Sequence, residues 1–138
     1  MHRLTVDEFK ASSKLPLVVV LDNVRSLHNV GSVLRSCDAF RVEAVYLCGI
    51  TATPPSAEIH KTALGAEDSV TWKYFAETTD AVDELHANAT KVFAVEQVAN
   101  ATMLQSLETK GGERYAVVLG NEVKGVQQTV VDSCDGCL

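Results

Sequence analysis

Val117-Val118-Leu119-Gly120-Asn121-Glu122-Val123-Lys124-Gly125-Val126 is the stretch on which the reading of this 138-residue chain turns. An apolar run suited to a buried strand passes directly into Gly-Asn-Glu, and a second glycine then opens the next helix. A tight turn followed by a helix cap accounts for the glycines. It gives no reason for a carboxylate beside an asparagine in the same turn. A comparable passage lies upstream, where Val18-Val19-Val20-Leu21 runs into a polar turn and then into Asn29-Val30-Gly31-Ser32-Val33-Leu34-Arg35.

Outward from these two stretches the pattern alternates. Strands are predicted at residues 17–21, 44–48, 70–74, 92–95 and 115–119. Helices are predicted at 30–40, from an N-cap at Ser56 towards 64, at 80–87, and from about Gly125 to about 131. Strands alternating with helices imply an α/β fold with a mostly parallel sheet flanked by helices, in one domain over residues 1–138. Ligands of such sheets sit outside the carboxyl ends of the strands, which directs attention to the turns at 22–32 and 120–125.

On a wheel of about 100° per residue, Val30, Val33, Leu34 and Cys37 cluster on one side of the first helix. Asn29, Ser32, Arg35 and Ser36 form the opposite stripe. Asn29 reads as a cap, and Arg35 as a cation placed one turn into a helix, where the macrodipole opposes it. That placement favours a functional guanidinium, whose fork of donors suits phosphate. Gly31 is expected to let a partner or ligand approach the backbone closely.

Composition narrows the classes. The chain is 46% hydrophobic and 22% charged, with a net charge of −6, which argues against a general nucleic-acid binder but leaves room for a local basic patch. No apolar run approaches the roughly 20 residues needed to cross a bilayer, and no signal peptide is evident, so a cytoplasmic location and no membrane partner are expected. Cys37 and Cys48 lie in apolar segments and read as reduced core residues. Cys134 and Cys137 form a CxxC without a second ligand pair, and the four histidines are scattered, so no metal is expected.

The stretches 29–40 (NVGSVLRSCDAF) and 118–126 (VLGNEVKGV), with 61–75 (KTALGAEDSVTWKYF) between them, resemble the SpoU (TrmH-like) branch of the SPOUT RNA methyltransferases. The resemblance runs over nearly all of the chain from about residue 17, and two ordered motifs make it specific. It implies S-adenosyl-L-methionine-dependent methylation of a ribose 2′-hydroxyl in tRNA or rRNA. It also implies a homodimer with its active sites near the interface, and a sheet with a deep C-terminal trefoil knot. Asn29, Ser32 and Arg35 match the first motif; Gly120, Asn121, Glu122 and Gly125 match the second. The family's third motif, an Ile-Pro followed by a Ser-Leu-Asn-Val-Ser helix start, is absent after Leu138. The expectation is a chain that stops short of the natural one and leaves the knot unfinished.

The resulting site has Arg35, Asn29 and Glu122 as catalytic residues. Arg35 stays protonated, holds the neighbouring phosphate and stabilises the developing alkoxide. Asn29 orients Arg35 or the ribose, and Glu122 fixes Asn29 and Arg35 or contacts substrate. Leu119, Gly120, Asn121 and Gly125 are expected to line the cofactor pocket. Ser32, Arg25, His28 and Arg41 are candidate RNA contacts. The 2′-hydroxyl requirement selects RNA over DNA. A Rossmann enzyme fails because no GxGxxG follows the first strand. A non-catalytic RNA-binding or assembly protein on the same fold is the competing reading.

Overall fold

β1 (Leu15–Asp22) is apolar up to Leu21 because both of its faces are covered there. Leu17, Val19 and Leu21 point into one core, Val18 and Val20 into another. The computed structural model describes residues 14–95 and 113–138. In it, β1 is flanked by β2 (Val42–Cys48) and β5 (Arg114–Leu119), and the six-stranded sheet has the order β3-β2-β1-β5-β4-β6. The remaining strands are β3 (Trp72–Phe75), β4 (Thr90–Val95) and β6 (Gly136–Cys137). Every pairing is parallel, so the carboxyl ends of the strands share one edge of the sheet.

One face carries α1 (Leu27–Phe40), α2 (Ala57–Ala63) and the single turn α3 (Ala66–Ser69). Val30, Leu34, Cys37, Ile59 and Ala63 bury there against Val19, Val45 and Val117. The other face carries α4 (Thr78–Ala87) and α5 (Gln128–Ser133), which bury Ala81, Val82, Leu85 and Val130 against Val18, Val20 and Val118. Each fully buried Leu, Ile or Val contributes about 1.5–3 kcal/mol over exposure, so the two cores hold the sheet edge as a firm platform. Cys37 and Cys48 are buried free thiols within these cores, as expected. No described helix is long and apolar enough to cross a membrane.

The structure corrects several sequence expectations. Ser26, not Asn29, caps α1: its Oγ accepts the Asn29 N–H at 3.1 Å. Asn29 therefore lies inside the first turn and Arg35 more than two turns along, beyond the reach of the N-terminal dipole. Gly31 is indeed a site of close approach, but the neighbour is α2. A Cβ on Gly31 would lie 2.0 Å from Thr62 Oγ1 and 2.4 Å from the Ile59 carbonyl oxygen. Ser56 does cap α2, accepting the Ile59 N–H at 3.3 Å. Val70 ends α3 and turns into the core, so the third strand starts at Trp72. The last helix starts at Gln128 because residues 121–125 close on themselves. Asn121 N–H donates to the Gly125 carbonyl at 3.0 Å, and Gly125 N–H returns to Asn121 at 2.8 Å.

Candidate functional site

The carboxyl end of β1 is an acid. Asp22 is fully buried, and four neutral donors converge on its carboxylate. Oδ1 accepts from the Thr78 hydroxyl at 2.6 Å, Gln127 Nε2 at 2.7 Å and Asn23 Nδ2 at 3.1 Å; Oδ2 accepts the Gln127 backbone N–H at 2.8 Å. A carboxylate out of water needs this many donors to offset its lost hydration. Thr78 opens α4 and Gln127 caps α5, so one side chain gathers the start of two helices beneath the end of β1.

Glu122 makes the reciprocal connection. Its Oε1 accepts the Arg25 N–H at 3.1 Å, and its Oε2 accepts the Ser26 N–H at 2.9 Å and Asn29 Nδ2 at 3.2 Å. These amides precede and cap α1, so a residue of the second motif closes the helix of the first. Partial desolvation pushes the Glu122 carboxyl up, but its own backbone N–H and those of Ser26 and Arg25, with Asn29, outweigh it and hold the group below the usual carboxylate range.

Asn121 binds the two turns together. Its Nδ2 donates to the Asn23 carbonyl at 2.9 Å, while its Oδ1 accepts the N–H groups of Val123 and Lys124 at 2.9 and 3.0 Å. Gly120 is dictated by crowding: a Cβ there would lie 2.2 Å from both Gly125 C and Val126 N. Gly125 has φ +73°, a conformation that L side chains avoid. Asn23 is itself left-handed at φ 55°, and its Oδ1 accepts the Ile50 N–H at 2.9 Å. Three strand-end turns, after β1, β2 and β5, are thus tied by side-chain amides.

Two cavities open on this edge. The larger, about 1000 Å³, includes Asn23, Arg25, Ile50, Asn121, Val123 and Lys124 in its walls. The smaller, about 270 Å³, is walled by Ala94 and Val95 at the end of β4, Val126, Val131 and Cys137. Lys124, Gly125, Val126 and Gln128 belong to both.

Of the residues expected at the site, Arg25, Asn29, Asn121, Glu122 and Gly125 meet in this assembly. Leu119 and Gly120 are buried beneath the turn and line neither cavity. Arg35 is exposed on the outer stripe of α1, with half-buried Ser32 one turn before it. Glu122 holds Asn29 but makes no hydrogen bond to Arg35, whose guanidinium has none among the described residues. His28 is exposed in the first turn, its carbonyl taken by the Thr62 hydroxyl at 2.9 Å. Arg41 is the left-handed C-cap of α1, a helix length of roughly 21 Å from the Glu122 clamp. Its carbonyl accepts the Leu15 N–H at 2.9 Å, at the amino end of the sheet. Sequence reading missed Asp22 and Gln127. The available signal was an acid ending an otherwise apolar strand run.

The family model of the SpoU rRNA methylase family matches residues 16–138. A Staphylococcus aureus protein of the TrmH family of tRNA/rRNA methyltransferases is 31% identical over 126 residues, covering 91% of this chain and 50% of that relative. This chain therefore spans about half the length of the curated relatives it matches. Crystal structures agree in fold. The SpoU methyltransferase AviRb from Streptomyces viridochromogenes, in complex with the cofactor AdoMet, has a TM-score of 0.72 at 17% identity, over 91% of this chain and 49% of its own. The A. aeolicus TrmH/SpoU tRNA modifying enzyme has a TM-score of 0.73 at 20% identity, over 96% of this chain and 68% of its own. A sequence match that runs from the start of β1 through β6 takes in both turns and the sheet that carries them, and the chain belongs to the SpoU rRNA methylase family.

Proposed function

We propose that this chain carries S-adenosyl-L-methionine-dependent methylation of a ribose 2′-hydroxyl in tRNA or rRNA, in the cytoplasm and as a homodimer. One observation carries the reading: Glu122 of the second motif clamps the α1 start of the first, beside a cavity that contains Arg25 and Lys124.

The residues present fit the cofactor. The smaller cavity offers apolar walls for an adenosine, and the Asn121–Gly125 turn brings bare backbone to it at Gly125. When bound, the sulfonium supplies an activated methyl group. Ala94, Val95, Val126 and Val131 would hold the nucleoside and exclude water. The larger cavity, which shares Lys124 and Gly125 with the smaller, would take the ribose, with Arg25 and Lys124 towards phosphate. Loss of the 2′-hydroxyl proton to solvent leaves negative charge on the 2′-oxygen, which would take up the methyl group as the methyl–sulfur bond breaks and the sulfonium becomes a neutral thioether. Arg35 remains protonated and serves as a positioning and charge-stabilising cation at the phosphate, not as a base. Asn29, held by Glu122, presents its turn of α1 to the same nucleotide. Glu122 has its acceptors occupied by three donors, so positioning is the role assigned to it.

The test is transfer of labelled methyl from S-adenosyl-L-methionine to RNA, with the product mapped as alkali-resistant 2′-O-methyl positions. Arg35→Ala should abolish transfer, a loss of at least about 100-fold, while calorimetry finds cofactor affinity nearly unchanged. Near-wild-type turnover would sink the role given to Arg35. RNA binding without cofactor binding or transfer would replace the enzyme reading with that of a non-catalytic RNA-binding protein.

A further inference from the structure

β6 is two residues long and lies at the sheet edge, so ladder hydrogen bonds alone give it a weak hold. Yet its Cys137, paired in register with Ala94, forms part of the wall of the smaller cavity beside Ala94 and Val95 of β4. Asp135, the residue before β6, supplies what the ladder lacks. Its backbone N–H donates to the Val92 carbonyl at 2.7 Å, and its Oδ2 accepts the Val92 N–H at 2.7 Å. The same oxygen lies 3.0 Å from His86 Nε2 on α4. Beyond β6, the Leu138 N–H donates to the Ala94 carbonyl at 2.8 Å. Asp135 thus pairs with both backbone groups of one β4 residue and reaches across to the helix layer. The Val92 N–H, and then His86, hold its carboxyl below the usual carboxylate range, in keeping with an acceptor already engaged.

We propose that Asp135 is a positioning residue for the cofactor cavity: it docks β6 on β4 and thereby sets the Cys137 wall against Ala94 and Val95. This rests on the assignment of the smaller cavity to the adenosine of the cofactor. The side chain itself is exposed and touches no part of that cavity, so it acts only through the strand it pins. Asn at position 135 retains an oxygen that can accept the Val92 N–H, whereas Ala retains none.

The experiment compares full-length wild type, Asp135→Ala and Asp135→Asn by two measurements. Amide hydrogen exchange at residues 135 and 138 reads the docking of β6 without any cofactor. Calorimetry with S-adenosyl-L-methionine reads the cavity. For Asp135→Ala the expected results are exchange at least tenfold faster at both amides and cofactor affinity at least fivefold weaker, with the melting temperature within a few degrees of wild type. Asp135→Asn should recover most of both. Unchanged exchange in Asp135→Ala would overturn the docking role. Faster exchange with undiminished affinity would overturn the positioning role while leaving the cofactor assignment standing. If wild type itself binds no S-adenosyl-L-methionine, the cavity assignment fails and this inference falls with it.

Discussion

Asp22 and Glu122 do the same job in opposite directions and in opposite surroundings. Asp22 leaves the first strand-end turn and holds the start of α5, which follows the second turn. Glu122 leaves the second turn and holds the start of α1, which follows the first. Asp22 is sealed from water, as is the Thr78 hydroxyl that donates to it at 2.6 Å; Glu122 is exposed, and the amides it caps can turn to solvent. The difference teaches that the two motifs are one unit with a core lock and a surface lock. Burial decides which of them the fold depends on, because an abandoned donor costs its full desolvation only where water cannot replace its partner.

Asp22→Ala should therefore have the largest effect. It leaves the buried Thr78 hydroxyl without this acceptor and releases the start of α5 at Gln127, and a loss of about 3 kcal/mol is expected from urea unfolding. Glu122→Ala removes a cap that water can partly replace and should cost about 1 kcal/mol in the same measurement. Equal losses for the two variants would break the comparison.

The pH dependence sharpens it further and is the smallest effect. Glu122 has a lowered folded-state pKa, so its contribution is complete above the unfolded value near about 4.3 and is lost as pH falls through the lowered one. Unfolding from pH 6 down to pH 3 should show Glu122→Gln losing slightly less stability than wild type over that range. Parallel curves would mean that the carboxylate charge does nothing for the clamp.

Much of the fold was legible because it depends on local pattern. The apolar runs of β1, β2, β4 and β5 and the helical spacing of Val30, Leu34 and Cys37 appear in the sequence as they do in the structure. The failures have physical causes. α3 and β6 are too short to carry a period, and β6 owes its place to Asp135 and to β4, a strand more than 40 residues earlier. The start of α1 was misplaced because Ser26, Leu27 and His28 give no periodic signal, while Asn29 is also an acceptable cap residue. Gly31 looked like an opening for a ligand, since nothing local says that Thr62 and Ile59 fill the space.

The sequence by itself determined the alternation of strands and helices, the parallel sheet and the two glycine-bearing turns at its carboxyl edge. Those follow from side-chain periodicity and from the few residues that tolerate tight backbone turns, properties that act over a few neighbours. Only the tertiary structure decided that Asp22 reaches Gln127, that Glu122 reaches Ser26, and that Arg41 lies at the far end from both. These pairs, some 100 residues apart in the first two cases, exist because parallel pairing of β1 with β5 sets two distant strand ends side by side. A hydrogen bond has a reach of about 3 Å, and nothing in a linear chain states which distant donors and acceptors the packing of a core will bring within it.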